Sequence, residues 1–262
     1  MNYTKETSKR YFDEKVNVYT EEGYFRIRGK YPVLYIRHKY ILNMINEGEG
    51  IAIDVGCGPG IMLLDLKAKG YDVIGLDISK NMLEKARDIF LRLGAEIPNM
   101  AVADIECLPF RREVFDLIVC AGVIEYLDRD DKALTEISRT LKTGGLTMIT
   151  FTNALTPFWI IETISKISGI WPKILSLVKG EKNPPKSRVH IPHMISRLAE
   201  KIGLKEICRA YFNFTILPFP LDFNNQAIRR KVGFKMERLS RKILGIIGRG
   251  CIIKFKKMSS IE

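Results

Sequence analysis

A short glycine-rich segment carries the residues best suited to chemistry. Residues 51–55 are apolar except for Asp54, and glycines follow at positions 56, 58 and 60. This pattern predicts a buried strand that runs into a tight loop, with a helix over 60–69 after it. In open α/β sheets, nucleotide-like ligands bind at such a loop, between the carboxyl end of a strand and the amino end of a helix.

The spacing of these glycines indicates the kind of ligand. A dinucleotide site has the pattern G-x-G-x-x-G, whose free backbone N–H groups receive a pyrophosphate. Here the third glycine comes one residue earlier, and Asp54 stands two residues before the first. Because a carboxylate at this point repels a diphosphate and attracts a cation, the loop suits a nucleoside that carries an ammonium group.

Two more carboxylates follow predicted strands. Asp77 ends a strand over 72–77 and lies 21 residues beyond Gly56, where an acid can accept both hydroxyls of a ribose. Asp104 follows a strand over 99–103 and can accept the exocyclic amine of adenine. The three acids together predict a site for an adenosine-like group.

At this point the sequence resembles the class I S-adenosylmethionine-dependent methyltransferases, in particular the type 11 small-molecule group related to the ubiquinone and menaquinone biosynthesis enzymes. Five motifs carry the resemblance, in family order over about residues 45–151: 54–60, 75–79, 103–104 with 108–110, 115–119 and 141–145. The resemblance implies methyl transfer with S-adenosylmethionine. It also implies a Rossmann-like, doubly wound α/β sheet of seven strands in the order 3-2-1-4-5-7-6, with strand 7 antiparallel.

The resemblance further implies a set of cofactor contacts. The methionine part would meet Asp54, Gly56, Cys57, Gly58, Gly60, Cys120 and Ala121; the nucleoside would meet Asp77, Ile78, Asp104 and Ile105. Tyr11 and Tyr19 belong to a helical preface over the cofactor mouth, and serve either as contacts or as packing residues. Cys57 is expected to be a small packing residue and not a nucleophile.

Candidates for a catalytic base are few. An oxygen nucleophile usually needs a general base, whereas a carbon or amine nucleophile can react without one. Glu125 and Tyr126 follow the fourth predicted strand, and His190 and His193 flank a proline where the chain returns to the core. Each has a structural alternative, since Glu125 can cap the loop and the histidines can cap a surface helix. His38 is expected on a solvated face.

The pattern of apolar residues predicts one domain over 1–262 with four parts. They are a helical preface (1–50, helices 3–19 and 33–45), a core (51–151), a helical lid after strand 5 (152–190) and closing elements (191–262). The core adds strands 115–121 and 145–151, a turn at Gly144-Gly145, and helices 79–93, capped by Ser79, and 130–141. The closing elements are helix 192–202, strand 204–216, a basic helix 226–244 and strand 251–256.

Charge is uneven along the chain. Residues 1–150 carry 21 Lys and Arg against 23 Asp and Glu, whereas residues 151–262 carry 21 against 7. The basic half predicts an anionic partner. With the apolar and lysine-rich stretch 155–179, it favours an anionic membrane surface.

The leading hypothesis is therefore methylation of oxygen or carbon on a small apolar or lipid-linked acceptor. The alternatives are methylation of RNA or another soluble anion, and a non-catalytic scaffold. Nucleic acid is the less favoured partner, because no stacking aromatics accompany the basic residues. Five cysteines without a C-x-x-C pair argue against disulfides and a metal cluster. A charged amino terminus without a signal sequence favours the cytoplasm, with peripheral membrane contact.

Overall fold

The computed structural model describes residues 5–25, 32–157, 187–214 and 226–259. Within them the strands are β1 Ile51–Val55, β2 Asp72–Asp77, β3 Asn99–Val102, β4 Phe115–Ala121, β5 Leu141–Thr152, β6 Leu204–Phe212 and β7 Gly250–Lys257. The helices are α1 Lys5–Thr20, α2 Val33–Met44, α3 Ile61–Ala68, α4 Lys80–Arg92, α5 Asp130–Thr140, α6 Pro192–Glu200 and α7 Gln226–Met236. Shorter helical turns are Glu21–Phe25, Ile124–Tyr126, Glu237–Leu239 and Ile243–Ile247.

The seven strands form one sheet in the order β3-β2-β1-β4-β5-β7-β6. Strands β1 to β5 pair in parallel, and β7 lies antiparallel between β5 and β6. This confirms the predicted fold. Because β1 lies between β2 and β4, the carboxyl ends of these three strands meet at one edge of the sheet, where α/β proteins bind their ligands.

Apolar side chains fill both faces of the sheet. On β1, Ile53 and Val55 join a core beneath α5 and α6, and Ala52 joins a second core with α2, α3 and α4. The strand is therefore buried on both sides, as expected for a parallel sheet between two helix layers. On α4, Ser79 caps the helix as predicted, since its hydroxyl accepts the Met82 N–H at 3.1 Å.

Several predicted boundaries are wrong. Gly144-Gly145 is not a turn before the fifth strand; both residues lie inside β5, near an irregularity in its pairing with β4. Gly144 has φ +83°, so the strand takes up the extra residues there as a bulge. The basic helix is also shorter than predicted, because α7 ends at Met236 and gives way to short turns.

The predicted lid is only partly covered by the structure. Most of it, residues 158–186, lies outside the described residues, as does most of the predicted membrane stretch 155–179. Of the described helices, none combines the length and the apolar character needed to cross a bilayer.

Gly60 generates a stability prediction, because a side chain there would meet both strain and a clash. Its φ is +76°, and an added Cβ would lie 3.0 Å from Ala86 Cβ and 3.1 Å from Phe90 Cε2. We expect Gly60→Ala to lower the free energy of unfolding by about 2–4 kcal/mol, measured by urea titration. Gly203→Ala is the matched control, since φ is +82° with nothing within 4 Å, and should cost about 1–2 kcal/mol. Equal losses in the two variants would contradict close packing at Gly60.

Candidate cofactor and acceptor site

The glycine loop after β1 is tied to the end of β2. The N–H groups of Gly56 and Cys57 both donate to the Leu76 carbonyl, at 2.7 and 2.8 Å, and the Gly58 N–H donates to Asp77 Oδ2 at 2.8 Å. Gly56 and Gly58 have φ of +77° and +50°, a region that L side chains rarely occupy. The loop is thus held at the sheet edge in a backbone conformation that glycine permits.

A cavity of about 730 Å³ opens beside this loop; we call it the glycine-loop cavity. Predicted cofactor residues that line it are Gly56, Gly58, Asp77, Ile78, Asp104, Ile105, Ala121 and Tyr19. Most of the predicted contacts are therefore brought together at one place.

Five other predicted contacts lie outside this lining: Asp54 and Cys57 line a smaller cavity next to it, whereas Gly60, Cys120 and Tyr11 line neither. Gly60 begins α3 and packs against α4, so its role is close packing of helices. Cys120 is fully buried within β4, where burial raises the pKa of its thiol. Tyr11 packs its ring against the edge of Phe12, with centroids 5.4 Å apart. Phe12, which was not among the predicted contacts, is a second preface aromatic that lines the cavity beside Tyr19.

Asp77 and Asp104 are already engaged by backbone groups and by α1. Asp77 accepts the Gly58 and Ser79 N–H groups, both at 2.8 Å, and Asp104 accepts the Glu106 N–H at 2.9 Å and pairs with Lys5 at 2.5 Å. Because a carboxylate offers about four acceptor sites, each still has capacity for a ligand. Burial opposes the charge on Lys5, but its bonds to Asp104 and Glu106 raise the pKa of its ammonium.

Asp54 is the most deeply buried acid of the site. Its Oδ1 has no hydrogen-bond partner among the described residues. Burial raises the pKa of this carboxyl to about 7, against the lowering effect of the Arg37 guanidinium, while Asp77 adds to the rise. A buried carboxylate oxygen without a donor fits a ligand that brings a positive charge and N–H groups.

Arg37 of α2 is a site residue that the sequence analysis missed. Its guanidinium donates to the Tyr19 and Tyr24 hydroxyls and feels the charge of Glu125. It lies directly on Gly122, where an added Cβ would come within 2.2 Å of Arg37 Nη1. Arg37, Tyr19, Tyr24 and Asp54 line a small cavity of about 360 Å³, the Arg37 cavity, which adjoins the glycine loop.

His38 also lines the Arg37 cavity, and its predicted exposure is wrong. The side chain is buried, with Nε2 2.5 Å from Asp65 Oδ2 on α3 and the ring edge-on to Tyr24. The reason is that α2 packs against α3, which places Asp65 beside the His38 ring. Sequence neighbours of a histidine do not reveal such a partner.

A third cavity of about 640 Å³ extends from the same region towards β5; we call it the β5 cavity. It shares Phe12, Tyr19, Gly122 and Tyr126 with the glycine-loop cavity, so the two cavities adjoin. The rest of its wall is mixed, with four apolar side chains, Val33, Leu34, Phe151 and Phe212, and six polar or charged ones, Arg37, Glu125, Thr150, Thr152, Asn213 and Arg249. This lining suits a molecule that carries both apolar and polar groups.

Glu125 and Tyr126 both face the β5 cavity. Glu125 Oε2 accepts the Thr152 N–H at 3.1 Å, and burial raises the pKa of its carboxyl, while Arg37 and His190 lower it. The Tyr126 ring lies edge-on to Phe12, with centroids 5.3 Å apart. Of the four predicted catalytic residues, these two line a cavity: Tyr126 lines both the glycine-loop cavity and the β5 cavity, and Glu125 lines the β5 cavity alone.

The predicted roles of His190 and His193 gain no support from their positions. Neither lines any of the three cavities. His190 is buried with Nε2 3.1 Å from Asp130 Oδ2, and its backbone bonds to Thr152 and Ala154. His193 is exposed on α6. His190 thus anchors the returning chain beside the Glu125 loop instead of facing a substrate.

Arg188 completes this anchor. Its N–H donates to the Glu125 carbonyl at 2.8 Å, and its guanidinium pairs with Asp130 and donates to the Ile124 carbonyl. The loop that presents Glu125 is therefore fixed from both sides, by Arg188 and by Thr152. Among the residues that the structure describes, no cluster of three or more His, Cys, Asp or Glu is placed to bind a metal ion.

The raised pKa of Asp54 makes a pH prediction. An unfolded carboxyl titrates at about 3.9, whereas Asp54 titrates at about 7 in the fold. Between these values the folded chain holds a proton that the unfolded chain has lost. This group should therefore lower the free energy of unfolding as pH rises from about 4 to about 7, by at most about 1.4 kcal/mol per unit, and add no further slope above.

Asp54→Asn should remove that part of the slope, measured by urea unfolding at a series of pH values. Asp72→Asn, at the exposed start of β2, is the control and should keep it. An identical slope in Asp54→Asn and the parent protein would refute the raised pKa.

Comparisons with known proteins agree with this geometry. A family model described as a methyltransferase domain matches residues 53–149. The malonyl-[acyl-carrier protein] O-methyltransferase of Salmonella typhimurium is 37% identical over 98 residues, which are 37% of this chain and 37% of that enzyme. An uncharacterized protein of Methanocaldococcus jannaschii is 27% identical over 226 residues, 80% of this chain and 84% of that protein.

The fold extends the similarity beyond the matched region. The magnesium protoporphyrin IX methyltransferase of Synechocystis PCC 6803, solved with bound SAH, superposes with a TM-score of 0.64 at 14% identity, over 97% of this chain and 100% of the other. The alignment to the Salmonella enzyme covers well under two thirds of its length, so the shared part is the domain. Residues 53–149 are thus a methyltransferase domain, and the chain as a whole has the fold of solved methyltransferases that use S-adenosylmethionine.

Proposed function

We propose that this protein transfers a methyl group from S-adenosylmethionine to an oxygen or carbon atom of a small acceptor with an apolar body. The observation that carries the proposal is that the glycine-loop cavity and the β5 cavity share four lining residues, including Phe12 and Tyr126. One cavity suits a nucleoside and the other an amphipathic molecule. Two ligands seated in them would lie on either side of these shared residues, close enough for the methyl group to be brought to the acceptor.

The residues present fit the cofactor. Asp77 and Asp104 have acceptor capacity for ribose hydroxyls and an adenine amine, and the unpaired Asp54 Oδ1 matches an ammonium group. Arg37 supplies the complementary charge for a carboxylate, with a fork of donors suited to that shape. The amino acid part of the cofactor would thus lie in the Arg37 cavity, between the Asp54 carboxyl group and the Arg37 guanidinium.

Catalysis here rests on orientation. S-adenosylmethionine supplies a methyl group on a positively charged sulfur, so the leaving group is neutral. The protein must hold the acceptor atom in line with that methyl group, and the aromatic wall of Phe12, Tyr126 and Phe151 excludes water around it. Glu125, whose pKa burial raises, would take the proton of an acidic hydroxyl or carbon. Tyr126 would position the acceptor beside it.

The acceptor class follows from the β5 cavity. Its aromatic and aliphatic residues match a ring or an acyl chain, and its polar residues include Glu125. Two proteins to which this chain is similar are named for a malonyl-[acyl-carrier protein] and for magnesium protoporphyrin IX. We therefore propose an apolar or lipid-linked acceptor.

Arg37→Ala provides a test of cofactor binding. Loss of a charged hydrogen-bonding group costs about 1.5–3 kcal/mol, so the affinity for S-adenosylhomocysteine should fall about 10- to 100-fold in calorimetry. Arg37→Lys should retain only part of the parent protein's affinity, because an ammonium group lacks the planar, bidentate donors of a guanidinium. Arg129→Ala, at an exposed ion pair with Asp131, should bind like the parent protein. Parent-like binding by Arg37→Ala would show that Arg37 does not hold the cofactor.

Methyl transfer itself is tested with Glu125→Gln. Methyl-labelled S-adenosylmethionine and an extract of the source cells should give label in the organic phase with the parent protein. The variant should transfer about 10²- to 10⁴-fold less, while still binding S-adenosylhomocysteine, because only the base is lost. Label in nuclease-sensitive polymer would favour RNA as acceptor, and cofactor binding with no transfer to any fraction would favour a scaffold.

A further inference from the structure

The segment from Lys231 to Ile246, which we call the basic segment, exposes apolar and cationic side chains together. Val232, Phe234 and Ile246 are 47%, 42% and 38% exposed. Five basic side chains are exposed among them: Lys231, Lys235, Arg238, Arg241 and Lys242. A soluble surface normally shows apolar residues singly, so this combination requires an explanation.

Acidic residues are almost missing from this part of the chain. Residues 226–259 contain eleven Lys and Arg and a single acid, Glu237. The Oε1 of Glu237 faces the protein, where it accepts the Asn213 N–H at 3.2 Å. The outward charge of the basic segment is therefore positive throughout, which matches a surface that is uniformly negative.

The basic segment also borders the β5 cavity. Glu237 holds Asn213, whose carbonyl accepts the Arg249 N–H at 3.0 Å, and both Asn213 and Arg249 line that cavity. At its other end, the Ile246 carbonyl accepts from Asn153 Nδ2 at 2.7 Å. One short stretch of chain thus exposes cationic and apolar residues and lies next to a wall of the cavity.

From these observations we infer that the basic segment docks this protein on an anionic lipid surface, with Val232, Phe234 and Ile246 in the interface and the five cations at the headgroups. Interfacial binding of this kind combines buried apolar area with attraction to anionic lipids. The biological role of this docking rests on the proposed function, since a lipid-linked acceptor would reach the β5 cavity from the docked face. The docking itself does not depend on methyl transfer.

A nucleic acid is the other large anion that such charge could meet. The basic segment carries one aromatic residue, Phe234, beside aliphatic Val232 and Ile246. Single-stranded nucleic acids are bound by several aromatic stacking surfaces along a basic groove. Aliphatic side chains gain little from bases but much from acyl chains, so the composition favours lipid.

The test is co-sedimentation of the full chain with vesicles of phosphatidylcholine alone or mixed with phosphatidylglycerol, at about 0.1 M salt. We expect binding only to the anionic vesicles, weakened as salt rises. A variant with Lys231, Lys235, Arg238, Arg241 and Lys242 changed to Gln should bind at least about tenfold more weakly, because each cation near such a surface contributes on the order of 1 kcal/mol. Val232→Ser with Phe234→Ser should also weaken binding. The binding that remains should be purely electrostatic, so that high salt abolishes it.

The matched control changes exposed residues of the same kinds elsewhere, at the end of α4: Arg87→Gln, Arg92→Gln, Leu91→Ser and Leu93→Ser. It should bind vesicles like the parent protein. Failure of the parent protein to bind anionic vesicles, or equal losses in control and test variants, would overturn the inference. Binding to an oligonucleotide that the five-cation variant loses, with vesicle binding unchanged, would overturn it in favour of a nucleic acid.

S-adenosylhomocysteine binding, measured on the same preparations, separates this inference from the proposed function. A chain that binds S-adenosylhomocysteine but no vesicles keeps the proposed function without the docking surface. A chain that binds vesicles but not S-adenosylhomocysteine keeps the docking surface and loses the proposed function.

Discussion

The partly buried guanidinium of Arg37 is the group on which the arrangement of the site depends. It joins Tyr19 and Tyr24 of the preface to Glu125 and Gly122 of the loop after β4, and it lies near Asp54 at the end of β1. Taking such a charge out of water is costly unless it is paired and hydrogen-bonded. Three separate parts of the chain must therefore converge on it, and where they converge the three cavities meet.

The parts that the sequence could predict are those governed by local patterns. Alternation of apolar residues located β1, β2 and β4, the glycine spacing located the loop, and Ser79 identified the start of α4. Arg37, Phe12 and Lys5 could not be found in this way, because their partners are distant in sequence and nothing near them signals burial. Gly122 is an indirect indication of the buried Arg37, but it lies far away in sequence. Its lack of a Cβ becomes meaningful only once the guanidinium is seen to lie against it. His38 was misjudged for the same reason, since Asp65 lies on another helix.

The preface and the cofactor residues act on each other through polar contacts. Lys5 pairs with Asp104, the Ser79 hydroxyl donates to Asp13 at 2.5 Å, and Lys85 donates to Asn17 at 3.0 Å. Partly exposed contacts of this kind are each worth about 1 kcal/mol or less, so α1 is held mainly by its buried face around Val16 and Phe12. A ligand that donates a hydrogen bond to Asp104 would share this carboxylate with Lys5. Because Lys5 belongs to α1, the position of α1 is linked to the binding of a ligand in the glycine-loop cavity.

Acceptor choice must be argued from the β5 cavity, because the fold alone supports many reactions. The sheet presents β1, β2 and β4 to the cofactor, and these are the elements that the family match covers. Much of the β5 cavity is instead built by the preface and by the ends of β5, β6 and β7, which lie largely outside that match. Asn213 and Arg249 belong to this second group, and both are tied to the basic segment. The ends of β6 and β7 thus connect the β5 cavity to the basic segment, so under the proposed docking an anionic surface would lie close to the proposed acceptor site.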